Sequence, residues 1–288
     1  MQTQPDVLLR CNADVGEGPV WDEERHELWW VDITQGLLHT TSLSDGQDDV
    51  LAVGTMLGAV ALAEDGRLVA AVANGLGTIE RTGLTVDHPI LADPRLRMND
   101  AACDRRGRFF AGSLTMNFEP HRGRLHMWQP GSDPITVLEG LTQPNGLAWS
   151  PDDSTFYLVD TVQRVVFAFD YHLDDGRLDK QRVAVDLPGG QGEPDGLCVD
   201  VEGCLWLAMW GGGEVRRYDP HGREVGRVRL PVSQPTCPAY LSGHTMVVTS
   251  ARAGLDEKAL ADQPLAGSVF ALDVGVAGVP VGRFGKTS

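Results

Sequence analysis

Glu17, Asn99, Asn145 and Asp195 each carry a side-chain oxygen, and each stands at the same place in a recurring phrase: GEGPVW, RMNDAAC, QPNGLAW and EPDGLCV. Two of the four are acids. Confined together they repel each other, and a cation or a proton must compensate. Carboxylate and amide oxygens with water suit a hard divalent cation such as Ca2+, Mg2+ or Mn2+, with Zn2+ also in range. Read alone, QPNGLAW is a turn, because Asn and Gly tolerate left-handed backbone and Pro fixes the angle before them. Four oxygen donors in one register point instead to a shared ion. The equivalent positions Leu57 and Thr236 interrupt the polarity, so the expected site is off-centre, with one side open to water and substrate. A catalytic metal needs that open side to polarise a substrate or bind a water.

The elements that must position these residues are short strands. Apolar runs such as ELWWVDI, GRFFAGS, STFYLVDT, GCLWLAM and HTMVVTS each follow a lead-in such as GPVWDEE, DAACDRRG, GLAWSPDD, GLCVDVEG or CPAYLSG. Each pair reads as a hairpin closed by an Asp/Gly-rich turn, and a further β-like segment follows most of them. The slots Glu17, Leu57, Asn99, Asn145, Asp195 and Thr236 are spaced by 40, 42, 46, 50 and 41 residues. Six such units predict an all-β chain, a six-bladed β-propeller with four-stranded blades, as one domain over residues 1–288. A strand around Asp6–Cys11 is expected to complete the last blade. If the slot begins each innermost strand, the six occupants ring one mouth of the channel. The hairpin partner then returns Asp32, Ser113, Asp160, Trp210 and Ser250 to the same mouth.

Composition excludes several partners. The net charge of −16 disfavours nucleic acid and anionic membranes, which call for basic patches. No apolar run approaches the ~18–20 residues that span a bilayer. The five cysteines are odd in number and lack CxxC spacing, so reduced, mostly buried thiols are expected. No secretory signal is visible, and a cytoplasmic location is expected. There is no G-x-S-x-G elbow for serine hydrolysis. The eight histidines show no HExxH spacing, occupy no slot and are expected mostly at the surface. Gly75-Leu76-Gly77 lacks the third glycine and the βαβ setting of a dinucleotide loop.

GEGPVWD around Glu17, RMND (Arg97–Asp100) with GRFFAGS, PNGLAWSPD around Asn145 and PDGLCVDVEGCLW around Asp195 resemble the regucalcin/gluconolactonase family, also named after senescence marker protein and luciferin-regenerating enzyme. The resemblance runs from about Gly16 to Phe270. It implies a six-bladed propeller with one divalent cation (Ca2+, Zn2+, Mn2+ or Mg2+) held by Glu17, Asn145 and Asp195. It also implies substrate contacts from Arg97 and Asn99, and hydrolysis of sugar lactones with Asp195 as the catalytic base. The family places a substrate-contacting Glu in the loop after its AGT segment. Ungapped counting puts Asn117 there, with Glu119 two residues on, so substrate preference does not carry over.

The resemblance thus implies an expected activity: metal-dependent opening of a glucono-, xylono- or arabinono-lactone to the aldonic acid, by what is expected to be a monomer or small homo-oligomer. Arg97 offers a planar donor fork for ring hydroxyls or the developing oxyanion, and Asn99 both donates and accepts. A bound cation depresses the basicity of Asp195, a conflict with its role as base. Asp160 and Asp32 are candidates to orient the ligands. Two other readings remain: a metal-dependent phosphotriesterase-like hydrolase, and a calcium-binding regulatory propeller without significant turnover.

Overall fold

A computed structural model describes residues 5–285, in which the chain forms six four-stranded antiparallel sheets arranged as a β-propeller. Blades 1 to 5 take their strands in chain order from residues 16–52, 57–88, 96–141, 144–186 and 193–229. Blade 6 combines Pro235–Tyr240, Thr245–Ser250 and Val269–Asp273 with the N-terminal strand Asp6–Leu9. That strand pairs Asp6 with Ala271 and Val7 with Phe270, so the ring is closed by hydrogen bonds between the two ends of the chain.

The sequence pattern follows from the layering. Inner strands are covered on both faces by neighbouring blades, and Leu57–Leu62 and Leu68–Val72 are buried at every residue. This is why they read as unbroken apolar runs. Outer strands such as Asp48–Ala52 are mostly exposed. The apolar core is a ring of six clusters, one in each seam between adjacent blades. Val159 packs with Leu207 between blades 4 and 5, for example, and Trp30 with Val247 between blades 1 and 6. Trp30, Phe110, Phe156 and Phe270 are fully buried there. Each such side chain contributes roughly 1.5–3 kcal/mol of burial free energy. The seams hold the ring together and leave its axis free.

The first hairpin of every blade has a register shift at the slot: after Glu17, Leu57, Met98, Pro144, Pro194 and Pro235. Such a β-bulge re-aims the side chains around it. QPNGLAW is therefore not a turn; Pro144–Trp149 is an inner strand. Gly146 is required by close approach, since a Cβ there would lie 2.3 Å from the backbone nitrogen of Leu197. Gly196 stands in the same relation to Cys237, at 2.5 Å from its sulfur.

At the opposite face the hairpin turns are held by buried acids. Asp104 accepts the N–H groups of Arg106 and Arg108, and Asp200 accepts those of Glu202 and Cys204. After Asp273 the chain crosses this face. Val279 donates to the carbonyl of Val199 and Phe284 to that of Leu62, while Arg283 reaches Asp22 at 3.0 Å. The helix Glu257–Asp262 is short, and no helix among the described residues is long and apolar enough to cross a membrane.

Candidate functional site

The inner strands bring Glu17, Asn99, Asn145 and Asp195 to one mouth of the channel, each at most 6% exposed. A chain of hydrogen bonds joins three of them to Arg97. The Arg97 guanidinium donates to Asn99 Oδ1 at 2.7 Å, and Asn99 Nδ2 donates to the Pro144 carbonyl at 2.9 Å and to Asn145 Oδ1 at 3.3 Å. Asn145 Nδ2 donates to Asp195 Oδ1 and, at 3.1 Å, to Thr161 Oγ1. Asn99 Nδ2 only donates, and this directs the Asn145 amide oxygen toward Asn99 and its Nδ2 toward Asp195.

Asp100 joins the cluster as a third carboxylate and was not singled out by the slot pattern. Its Oδ1 accepts the N–H of Ala101 at 2.7 Å, and its charge acts on both Glu17 and Asp195. A sequence signal for it exists. The position after the slot is Gly18, Gly58, Gly146 and Gly196 in four blades, but Asp100 in blade 3 and Cys237 in blade 6. Where Gly58, Gly146 and Gly196 give way to the neighbouring strand, these two carry side chains. Both line a cavity of about 110 Å3 that runs on between apolar walls to Val279–Gly282 at the far face.

The electrostatics follow from crowding acids into little water. Burial first, then repulsion from Asp195 and Asp100, holds the Glu17 carboxyl well above its ordinary range, against the N–H of Gly18 at 2.7 Å. Burial and then Asp100 raise Asp195 likewise, opposed by the Asn145 amide. Asp100 is raised by burial to about 6. The Arg97 guanidinium is lowered by burial to about 10, against the pull of Glu17 and Asp195, and stays charged at neutral pH. Among the described residues, no three His, Cys, Asp or Glu side chains form a metal-binding group.

Other expectations fall differently. Asn117 lies on an exposed loop after Phe109–Thr115, where its amide donates to Glu119 Oε1 at 3.2 Å; the structure does not bring it into the buried cluster. Opposite the residue before the slot stand Asp32, Ser113, Asp160 and Ser250, but in blade 5 the partner of Pro194 is Met209. Trp210 lies one residue further on and faces Glu193. The strand-end acids Asp32 and Asp160 are buried rather than solvated. Two histidines are also buried. His126 bonds Ser113 Oγ and Thr136 Oγ1, and burial lowers its pKa to about 4; His39 bonds Asp48 and stacks on Trp30. Each is satisfied within its own blade and neither belongs to the acid cluster. The five cysteines are free.

The sequence matches the family described as the SMP-30/Gluconolactonase/LRE-like region over residues 15–252. It is 34% identical over 283 residues to regucalcin of Danio rerio, covering 96% of both chains. It is 34% identical over 293 residues to an L-arabinolactonase of Azospirillum brasilense, covering 99% of this chain and 96% of that one. The solved structure of a calcium-binding protein, regucalcin from Agrobacterium tumefaciens, superposes with a TM-score of 0.90 at 31% identity, covering 98% and 96% of the two chains.

Proposed function

The chain belongs to the SMP-30/gluconolactonase/LRE-like family, and from that premise we propose that it is a divalent-cation-dependent hydrolase that opens a sugar lactone to the aldonic acid. The observation that carries this reading is the convergence of Glu17, Asp100 and Asp195 on one desolvated mouth, beside the Arg97–Asn99–Asn145 chain of donors. Three carboxylates cannot all ionise there at neutral pH without added positive charge. Carboxylate and amide oxygens are the donors a hard divalent cation takes, and Glu17, Asn145 and Asp195 would hold it. Calcium is the first choice, since a relative of this chain is described as calcium-binding. Held by these residues, a cation would supply Lewis-acid stabilisation for the lactone carbonyl oxygen.

The remaining chemistry belongs to side chains. Arg97 and Asn99 hold ring hydroxyls and fix the carbonyl carbon over the acids. Asp195 takes a proton from the water that attacks this carbon. The ring C–O bond then breaks, and the leaving alkoxide receives the proton. Burial and Asp100 raise the basicity of Asp195 while a neighbouring cation lowers it. The two influences oppose each other, and this eases the conflict between ligand and base in Asp195. Asn117 and Glu119 belong to the loop that would meet the far end of the substrate.

Asn145→Ala is expected to weaken divalent-cation binding by about tenfold or more while preserving the fold, measured by calorimetric titration with Ca2+ and Mn2+. Native affinity in this variant would remove Asn145 from the ligand set. The activity itself is tested by following acid release from pentono- and hexonolactones, with each cation restored in turn, alongside a phosphotriester. Lactone turnover without phosphotriester turnover is the expected result. Tight Ca2+ binding without turnover of either substrate would favour a calcium-binding propeller.

A further inference from the structure

We propose that Asp32 and Asp160 are positioning residues: twin carboxylate clamps that fix the backbone from which Glu17 and Asn145 reach the cation, a proposal that rests on the cation-dependent reading above. Both acids stand on the second strand of their blade, opposite the residue before the slot, Asp32 facing Gly16 and Asp160 facing Pro144. Asp32 Oδ2 accepts the N–H of Asp14 at 2.8 Å, and its Oδ1 that of Val15 at 3.1 Å. Asp160 Oδ2 accepts the N–H of Thr142 at 2.7 Å, and its Oδ1 that of Gln143 at 3.1 Å. Counted back from Glu17 and from Asn145, these are the same two positions, the third and the second. Gln163 Nε2 adds a donor to Asp160 at 2.7 Å. Blades 1 and 4 are the two that lie opposite each other across the ring and offer candidate ligands.

The other blades show what occupies this position where no clamp is present. In blade 2 the apolar Val72 faces the slot residue Leu57 itself, and the serines of blades 3 and 6 are bonded elsewhere, Ser113 to His126 and Ser250 to the carbonyl of Ser268. Blade 5 has Met209, and there the approach to Asp195 is tied by a different charge. Arg164 donates to the carbonyls of Leu187, Gly189 and Gly192. Each of the three blades with a candidate ligand thus has its incoming loop held by an ionic side chain. Two charge-assisted bonds to consecutive N–H groups fix both the position and the direction of a loop, and ligand geometry depends on such support.

The test is calorimetric titration of the full chain with Ca2+. Asp32→Asn and Asp160→Asn turn an acceptor oxygen into a donor facing an N–H group, and each is expected to weaken binding about tenfold or more. Asp200→Asn disturbs the same kind of paired N–H bonds on the far face and is expected to keep the affinity within about twofold of the native value. Native affinity in the first two variants, or an equal loss in Asp200→Asn, overturns the proposal. No cation binding by the native chain overturns the reading beneath it and the clamps with it. Should the Asn variants not fold, hydrogen exchange on the native chain decides. The amides of Asp14, Val15, Thr142 and Gln143 are expected to be protected before cation is added, and exchange at the rate of an open loop refutes the clamps.

Discussion

Asp195→Asn is expected to leave the propeller folded and to lower kcat/KM for lactone hydrolysis by about 10^2–10^4-fold, the range for removal of a positioned general base. The substitution is nearly isosteric at a site that is 6% exposed, so it creates no cavity. It also removes one of three mutually repelling carboxylates, and the melting temperature in the presence of a chelator is expected to stay level or rise. Falling activity with undiminished stability separates this role from a structural one. Turnover comparable to the native protein would end the assignment of Asp195 as base. Asp100→Asn provides the comparison. It relieves the same repulsion, and it is expected to reduce activity less because Asp100 acts on the reaction through Asp195.

The second large effect is on stability against pH, read with and without divalent cation. Glu17 and Asp195 are held well above the ordinary carboxylate range, and Asp100 is raised to about 6. In the unfolded chain all three release their protons near pH ~4. Between that pH and the folded-state values, the folded protein binds more protons than the unfolded chain, so stability falls as pH rises. This contribution is fully present below pH ~4 and is lost as pH rises through about 6 and beyond. With a chelator present, the melting temperature is expected to be lower at pH 8 than at pH 5 by about 5 °C or more. Ca2+ at a hundred times its dissociation constant stabilises by about 2.7 kcal/mol. It is expected to flatten the slope, because the cation replaces the protons as the source of positive charge. Parallel curves with chelator and with Ca2+ would show that the acids and the cation do not meet.

The clamps and the acid cluster show how differently parts of the site are written in the chain. The register of Glu17, Asn145 and Asp195 was legible because each slot precedes a strand pair of nearly constant length. A propeller converts equal spacing along the chain into equal angles around an axis. The closing strand was legible for the same reason, since the repeat count left blade 6 short by one strand. Asp100 was not read, although its signal was present as an acid where four other blades have glycine. Its meaning depends on how closely neighbouring inner strands approach, which is a distance between blades. Met209 in place of Trp210 was lost because a count of fifteen residues from Asp195 overshoots this hairpin by one, and a one-residue slip turns the side chain to the other face. The burial of His39 and His126 depends on partners in their own blades.

The sequence by itself determined the repeat, the six-fold count and the ring of slot residues, because strand alternation and turn chemistry are local and the repeat multiplies them. It also identified glycine after Asn145 and Asp195, but only as a property of turns. The tertiary structure decided the direction in which each side chain points. Bulges aim the slot residues inward, and Gly146 lets blade 5 pass close enough for Asn145 to meet Asp195. It also decided the charge state of the cluster. Glu17, Asp100 and Asp195 are ordinary acids along the chain, and only their shared desolvation raises them together and sets them apart from surface carboxylates.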